Sequence, residues 1–455
     1  MDEPPTLLAV LIAKSENTYA EIVEGFRSCA REHGEDAEIT ERTLRRWMSG
    51  DIRLPRPAQR RVARLYWGFP MSELLAPARP EELISPADGT FPVTPSELLS
   101  HHPLDQRAER LDSGQPLERQ MAMSTRRAAR FTTFAESTNI GPEALDEIRD
   151  EMVDLANAYI REPLTEIMGP LVGLQEVVFT LLEGKQRPTQ SRDLYVVASV
   201  VSGMLAKASH DLGRSREAMT QARTMFVCAD NADHLPLRAW ARGLQSLIAF
   251  WAGRHEEAVH YAQRGAALSE GHAGTVAAWL PSLEGRALAQ LGRADAARDA
   301  VRRATDLRER VSLDDLDQVG GLFTFPQAKQ HYYAAGAYVF LADDDADTAA
   351  ESEALSALDL FENGVPQYRS FSDEAGARAE LALARVHRNE LDGAQEAIAE
   401  VLNLDPARRI GGVIPSAARV HSALSHRQYA ASPLARSMRE QIEAFSRVPA
   451  AAITA

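Results

Sequence analysis

Cysteine is nearly absent from this chain of 455 residues: Cys29 and Cys228 are the two that occur, far apart and in no Cys-x-x-Cys pair. A disulfide framework and a cysteine zinc site are thereby unexpected, the two read as small buried hydrophobes, and a reducing cytoplasm is the expected compartment. Aromatic residues are scarce at 6%. Strand signals are missing, because the valines fall in helical rows rather than alternating ones. No apolar run approaches the ~20 residues of a bilayer span, so no membrane segment is expected. Asp2 and Glu3 stand where a signal peptide would carry basic residues. Catalytic signatures are lacking too, with no phosphate-binding glycine loop, no GxGxxG and no GxSxG. His255 and His260 flank Glu256 and Glu257 in a near miss for a zinc-protease helix. Their i, i+5 spacing puts them about 140° apart round a helix, so they cannot share a metal as an i, i+4 pair would. Asp343, Asp344 and Asp345 lack the glycine and glutamate of a calcium loop and read as a solvated turn. Catalysis, metal and cofactor are therefore not expected.

Charge is present and unevenly spread. The formal net charge is −15, which argues against a protein that coats nucleic acid with its whole surface. Yet residues 39–65 hold eight arginines (42, 45, 46, 53, 56, 60, 61 and 64) against Glu41 and Asp51, a local +6, so the remainder carries −21. A basic patch on an acidic body is a directional docking surface. At its centre lies TERTLRRWMSGDIRL, residues 40–54. A helix from Glu41 to Ser49 puts Leu44 and Trp47 on one face, fit for a small core, and turns Glu41, Arg42, Arg45 and Arg46 outward. Gly50 suits the C-terminal cap. An exposed arginine row on a short helix fits the major groove of DNA; a solvated basic helix is the other reading.

Helical spacing predicts a first helix through Leu7, Leu8, Leu11 and Ile12, ending near Ser15. Thr18 can cap a second from Tyr19 to His33, with Ile22, Val23, Phe26 and Ala30 inward. Pro55 and Pro57 open another, from about Ala58 to Trp67, with Val62, Leu65 and Tyr66 inward. One more turn is expected at Met71–Leu75. Residues 77–141 begin Pro-rich, with Pro77, Pro80, Pro86, Pro92, Pro95, Pro103 and Pro116, and read as a partly ordered linker that ends in a basic cluster of Arg126, Arg127 and Arg130.

Residues 142–447 read as helix after helix and repeat themselves. LGRSREAMTQA (212–222), WAGRHEEAVHYA (251–262) and LGRADAARDAV (291–301) align on Gly213, Gly253 and Gly292. Five residues after each comes Ala218, Ala258 or Ala297, and the same offset links Asp344 to Ala349 and Asn389 to Ala394. Seven residues before each turn stands a small residue: Ala206, Ser246, Gly285, Ala337 and Ala382. Small residues at fixed offsets let two helices approach, and Gly or Asn turns the chain between them. Each unit is then a helical hairpin that must stack on its neighbours to bury its faces. Helices near 143–160 and 164–184 should open the stack, those near 415–428 and 432–446 should close it, and residues 448–455 form a fraying tail. The fold class is all-α: a small helical domain over residues 1–76 followed by an α-solenoid.

The five units over 191–405 resemble tetratricopeptide repeats, with periods longer than the usual one. The segment ITERTLRRWMSGDIRLPRPAQRRVARLYWGFPMSELL resembles the lambda-repressor-like (xenobiotic-response-element type) helix-turn-helix, with Ile39, Leu44, Trp47, Gly50 and Pro55 in that family's places. It departs in the long segment before Ile39. The combination resembles a group of actinobacterial regulators and is similar in architecture to the peptide-sensing RRNPP regulators. That resemblance implies a transcription regulator acting on a double-stranded DNA operator, with Glu41, Arg42, Thr43, Arg45 and Arg46 reading bases. Arg53, Arg56 and Arg60 would hold phosphates, and Trp47 would be core. It also implies a homodimer whose repeats bind a peptide or small-molecule effector on a concave groove. Counting back from the turns, groove positions include Lys207, His210, Trp240, Trp279, Arg286, His331 and Tyr338, either as ligand contacts or as packing between repeats. Two rival readings stay open: a protein-interaction scaffold whose helix-turn-helix-like domain no longer binds DNA, and a solenoid regulator of another enzyme or signalling protein.

Overall fold

The computed structural model of the chain describes residues 6–15, 18–49, 55–76, 117–341 and 343–450, which contain α-helices and short 3-10 turns and no β-strand. Gly50, Arg53, the proline-rich stretch and the end of the tail lie outside the described residues. The chain divides into two compact units, Met1–Met123 and Ser124–Ala455.

The first unit holds α1 (Leu7–Lys14), α2 (Tyr19–Glu32), α3 (Glu41–Met48), α4 (Pro57–Trp67) and the single turn α5 (Met71–Leu74). Thr18 caps α2 in a capping box with Glu21, and Thr40 caps α3 by accepting from the Thr43 amide at 3.2 Å. The helices close over Leu8, Ile12, Ile22, Phe26, Ile39, Leu44, Trp47, Val62, Trp67 and Leu74. Phe26 is the hub, with ring centroids 6.1 Å from Trp47, 6.0 Å from Tyr66 and 5.5 Å from Trp67. Leu65 is expected inside but is 49% exposed; α4 turns Val62 inward as expected, joined by Ala63 and Trp67. The eight residues between α2 and α3 are not an idle loop, since Ala37 and Ile39 within them are buried.

Helix α6 (Leu117–Glu136) follows, a continuous helix inside the stretch expected to be linker; Arg126 and Arg127 on it are exposed. The second unit then runs as seven hairpins. They are α7 (Pro142–Ala158) with α8 (Leu164–Leu182), α9 (Pro188–Asp211) with α10 (Ser215–Asn231), α11 (Leu235–Trp251) with α12 (His255–Leu268), and α13 (Val276–Gln290) with α14 (Ala294–Arg308). After a short α15 (Asp315–Val319) come α16 (Gln327–Tyr338) with α17 (Asp344–Asn363), α18 (Phe371–His387) with α19 (Leu391–Leu402), and α20 (Val413–Leu424) with α21 (Pro433–Ser446).

The repeated turn has a single geometry. Gly213, Gly253, Gly292 and Asn389 all take positive φ, between 63° and 75°. After each, the next amide donates to the carbonyl five residues back: Arg214 to Ser209, Arg254 to Ala249, Arg293 to Leu288 and Glu390 to Arg385, at 2.8–3.0 Å. This is the Schellman closure, which needs a left-handed residue. Ala218, Ala258, Ala297 and Ala394 are fully buried against the preceding helices. The fourth unit departs from this rule. Asp344 opens α17 instead of turning the chain, Asp343 caps it by accepting from the Ala346 amide at 2.8 Å, and the buried alanines are Ala346 and Ala350 rather than Ala349.

Helix α8 qualifies the expectation of no membrane segment. By length and composition it is apolar enough to cross a bilayer, although 28% of that window is buried inside the protein. Its apolar residues surround the helix and are interrupted by Glu166, Gln175 and Glu176, so no uninterrupted run shows in the sequence. Leu164, Ile167, Leu171, Leu174 and Val178 pack inward, while Val172 and Val177 stay exposed.

Two segments join distant parts of the second unit. Residues 315–325 leave the hairpin pattern and lie against α7. There the Asn157 amide donates to the Val319 carbonyl at 3.2 Å, and a Cβ on Gly321 would stand 1.9 Å from the Ala156 carbonyl oxygen. Further on, the Gly411 amide donates to the Asp211 carbonyl at 2.5 Å, and Arg408 reaches the Arg161 carbonyl at 3.5 Å. The segment between the sixth and seventh hairpins therefore returns to the first two.

Candidate nucleic-acid interface and the repeat interior

In the first unit, burial of Leu44 and Trp47 fixes the roll of α3 and leaves its polar side outward. Glu41, Arg42, Arg45 and Arg46 are exposed, and Thr43 is half-buried with its hydroxyl 3.0 Å from that of Thr40. Arg45 lies 3.5 Å from Glu41 and 5.1 Å from the centre of the Tyr19 ring, contacts that hold it along the helix. Arg56 and Arg60, at the start of α4, are exposed as well. Gln59 donates to the Glu38 carbonyl at 2.8 Å, which joins the first turn of α4 to the segment leading into α3. Arg61 is spent differently. It forks onto both oxygens of Glu35 at 2.5 and 2.7 Å and holds that carboxyl below its usual range. Among the described residues, no carboxylate pairs with Arg42, Arg46, Arg56, Arg60 or Arg64. Such a surface can bind a polyanion at little cost in broken ion pairs.

In the second unit, the residues expected to line an open groove are largely consumed by internal contacts. Trp240 and Trp279 stack with centroids 4.3 Å apart, and the inserted segment covers them: Phe323 sits 5.7 Å from Trp240 and Phe325 sits 6.3 Å from Trp279. Asp317 pins that segment. Its carboxylate accepts from the Thr275 amide at 2.9 Å, and also from the Thr275 hydroxyl and the Asp314 amide. Lys207 forks onto Asp211 at 2.5 and 2.6 Å, and Asp211 also accepts from the Tyr159 hydroxyl at 2.9 Å. His210 is buried beside Trp251, and desolvation lowers its pKa to about 4.

Arg286 is 2% exposed and is ringed by Phe250, Trp251, Tyr332 and Tyr333 at 4.6–5.7 Å. Its carboxylate partner, Glu380, is fully buried at 3.9 Å and is shared with Arg419 at 2.6 Å, while the second Glu380 oxygen has no hydrogen-bond partner. Two guanidinium groups thus share one carboxylate, and the four ring faces supply the remaining compensation. His331 pairs with Glu353 at 2.6 Å, and Tyr338 is half-buried. Lys207 and His210 thus stand on one turn, the two tryptophans stack, and Arg286 anchors an ion cluster, whereas His331 has its own partner on α17.

Glu380, Arg419, Asp317 and Phe323 are the organising residues that the repeat offsets do not indicate. The first two lie on α18 and α20, hairpins away from Arg286. The others sit in a segment that breaks the repeat. No family model matches the chain, and no curated protein matches it.

Proposed function

We propose that the chain is a sequence-specific, double-stranded-DNA-binding transcription regulator of cytoplasmic location, in which α2 and α3 act as a helix-turn-helix. The reading takes it as a homodimer and takes the helical repeats as the part that receives an effector. One observation carries it: among the described residues Arg42 and Arg46 of α3 and Arg56 and Arg60 at the start of α4 have no carboxylate partner, on a unit whose core is otherwise closed. Arginine forks match guanine edges and phosphate oxygens, so this charge is placed for a nucleic-acid partner. Without such a partner, self-repulsion along α3 would be an uncompensated cost.

Mobility shifts with a library of duplexes, followed by a salt titration, test the reading. The expected result is selection of a defined sequence, with an affinity that falls steeply as salt rises. An affinity indifferent to salt, or no shift at low salt, would point to the scaffold reading instead. Sedimentation equilibrium of the full chain tests the dimer.

A further inference from the structure

Interior cations of the second unit such as Lys207 and Arg286 meet carboxylates. The half-buried Arg242, Arg308 and Arg409 are instead held by neutral acceptors and aromatic rings, and of these Arg308 is the one at the wall of an apolar cavity. Arg308, the last residue of α14, has no salt bridge among the described residues. Its guanidinium is held by two neutral acceptors, Nε donating to Gln330 Oε1 at 2.6 Å and Nη2 to the Phe325 carbonyl at 2.7 Å. Nη1 has no hydrogen-bond partner among the described residues. The Phe325 ring lies 5.4 Å from the guanidinium centre. Burial pushes this arginine down to about 10, in line with its two neutral acceptors. The carboxylate that acts on it is Asp317, already occupied by Thr275 and Asp314.

Arg308 also lines two cavities. One, of about 260 Å³, is walled by Val311, Leu313, Phe325, Pro326, Leu360 and Val365. Its rim exposes Leu313 and Val365, each more than half accessible. The other is smaller, about 120 Å³, and contains Glu353 paired with His331. An anion would be repelled from the smaller chamber by Glu353 and accepted in the larger, apolar one. A desolvated guanidinium with a free nitrogen at the wall of an apolar cavity is a recognition element for a carboxylate carrying hydrocarbon.

We propose that the larger cavity binds a medium-chain monocarboxylate, its carboxylate on Arg308 and its apolar chain between Phe325, Leu360 and Val365. As the effector site, it rests on the reading of the repeats as the sensing part. The cavity adjoins Thr324, Phe325 and Pro326, where the inserted segment leaves the interior, so an occupant touches the segment that covers Trp240 and Trp279.

Calorimetry on the full chain, without DNA, tests the site with octanoate, octan-1-ol and octylamine as probes. The expected result is one octanoate per chain, with the alcohol and the amine at least tenfold weaker. Arg308→Gln should weaken octanoate at least tenfold. Val365→Glu, on the exposed rim and away from the ion cluster, should do the same if the Arg308 variant does not fold. Equal binding of acid and alcohol, no octanoate binding, or wild-type affinity in a folded Arg308→Gln or Val365→Glu chain overturns the proposal. Its failure leaves the mobility-shift result untouched. A chain that binds octanoate but no DNA overturns the regulator reading alone.

Discussion

The two units use the same residue in opposite ways. On α3 and α4 of the first unit, arginines stand in solvent with few internal partners; in the second unit, Arg286 and Arg419 converge on one buried carboxylate among aromatic rings. The difference lies in what surrounds the charge. Around Leu44 and Trp47 the first unit has a core built without ions, so Arg42, Arg46, Arg56 and Arg60, which pair with no carboxylate among the described residues, are surplus to its packing. Inside the repeats, a guanidinium removed from water must find compensation within the chain, because an uncompensated buried charge is strongly destabilising. Under the proposed reading, the unpaired exposed arginines of the first unit serve binding, and the buried ones of the second serve architecture. Arg308, half-buried without a carboxylate partner among the described residues, falls between the two.

The sharpest way to break this comparison is Glu380→Ala. It strands Arg286 and Arg419 together, and a loss of about 3–5 kcal/mol is expected in urea denaturation of the full chain. A loss below about 1 kcal/mol would mean that the ring faces suffice without the carboxylate. Next comes acid. His210 has its folded pKa lowered from 6.5 to about 4, so the unfolded chain takes up the proton first. Its contribution is complete above about pH 6.5 and is lost as pH falls toward 4, roughly 3 kcal/mol in all. Denaturation midpoints followed from pH 7 to 4 should show this slope, and His210→Gln should flatten it.

Smaller effects belong to the exposed set. Arg42→Ala should relax base preference at one operator position by about 1–3 kcal/mol while leaving the melting temperature unchanged. Arg56→Ala should weaken all sequences alike and reduce the salt slope by about one phosphate's share. Wild-type DNA binding in both variants would leave the outward arginines without the partner proposed for them.

Local rules were readable in advance, and non-local ones were not. Positive φ at Gly213, Gly253, Gly292 and Asn389 follows from residue type and spacing, because a left-handed closure selects glycine or asparagine. Thr18 announces the start of α2 in the same way; Thr40 caps α3 too, a role not read from the sequence. Asp344 misleads because aspartate serves both turns and helix starts, and Asp343 beside it takes the capping role. Leu65 misleads because a helix stripe read by spacing alone can be rolled by one residue, and Trp67 claims the core position. The DNA-facing candidates could be named because they lie within one short helix and the turn after it. The Arg286–Glu380–Arg419 cluster could not, since its members are brought together by stacking rather than by sequence. The covering of Trp240 and Trp279 depends on residues 315–325, an interval with no period to extrapolate.

The return of Gly411 to Asp211, with residues 315–325 lying against α7, changes how such an array should come apart. An open stack of hairpins is one-dimensional: each repeat leans on its neighbours, and the ends can peel away one at a time. Tied from the segment before its last hairpin to its first two hairpins, and braced across its interior, this stack leaves only the last hairpin free to peel. Beyond that, unfolding must first break the seam or draw out the brace, so hydrogen exchange in the first and sixth hairpins should rise together rather than in sequence.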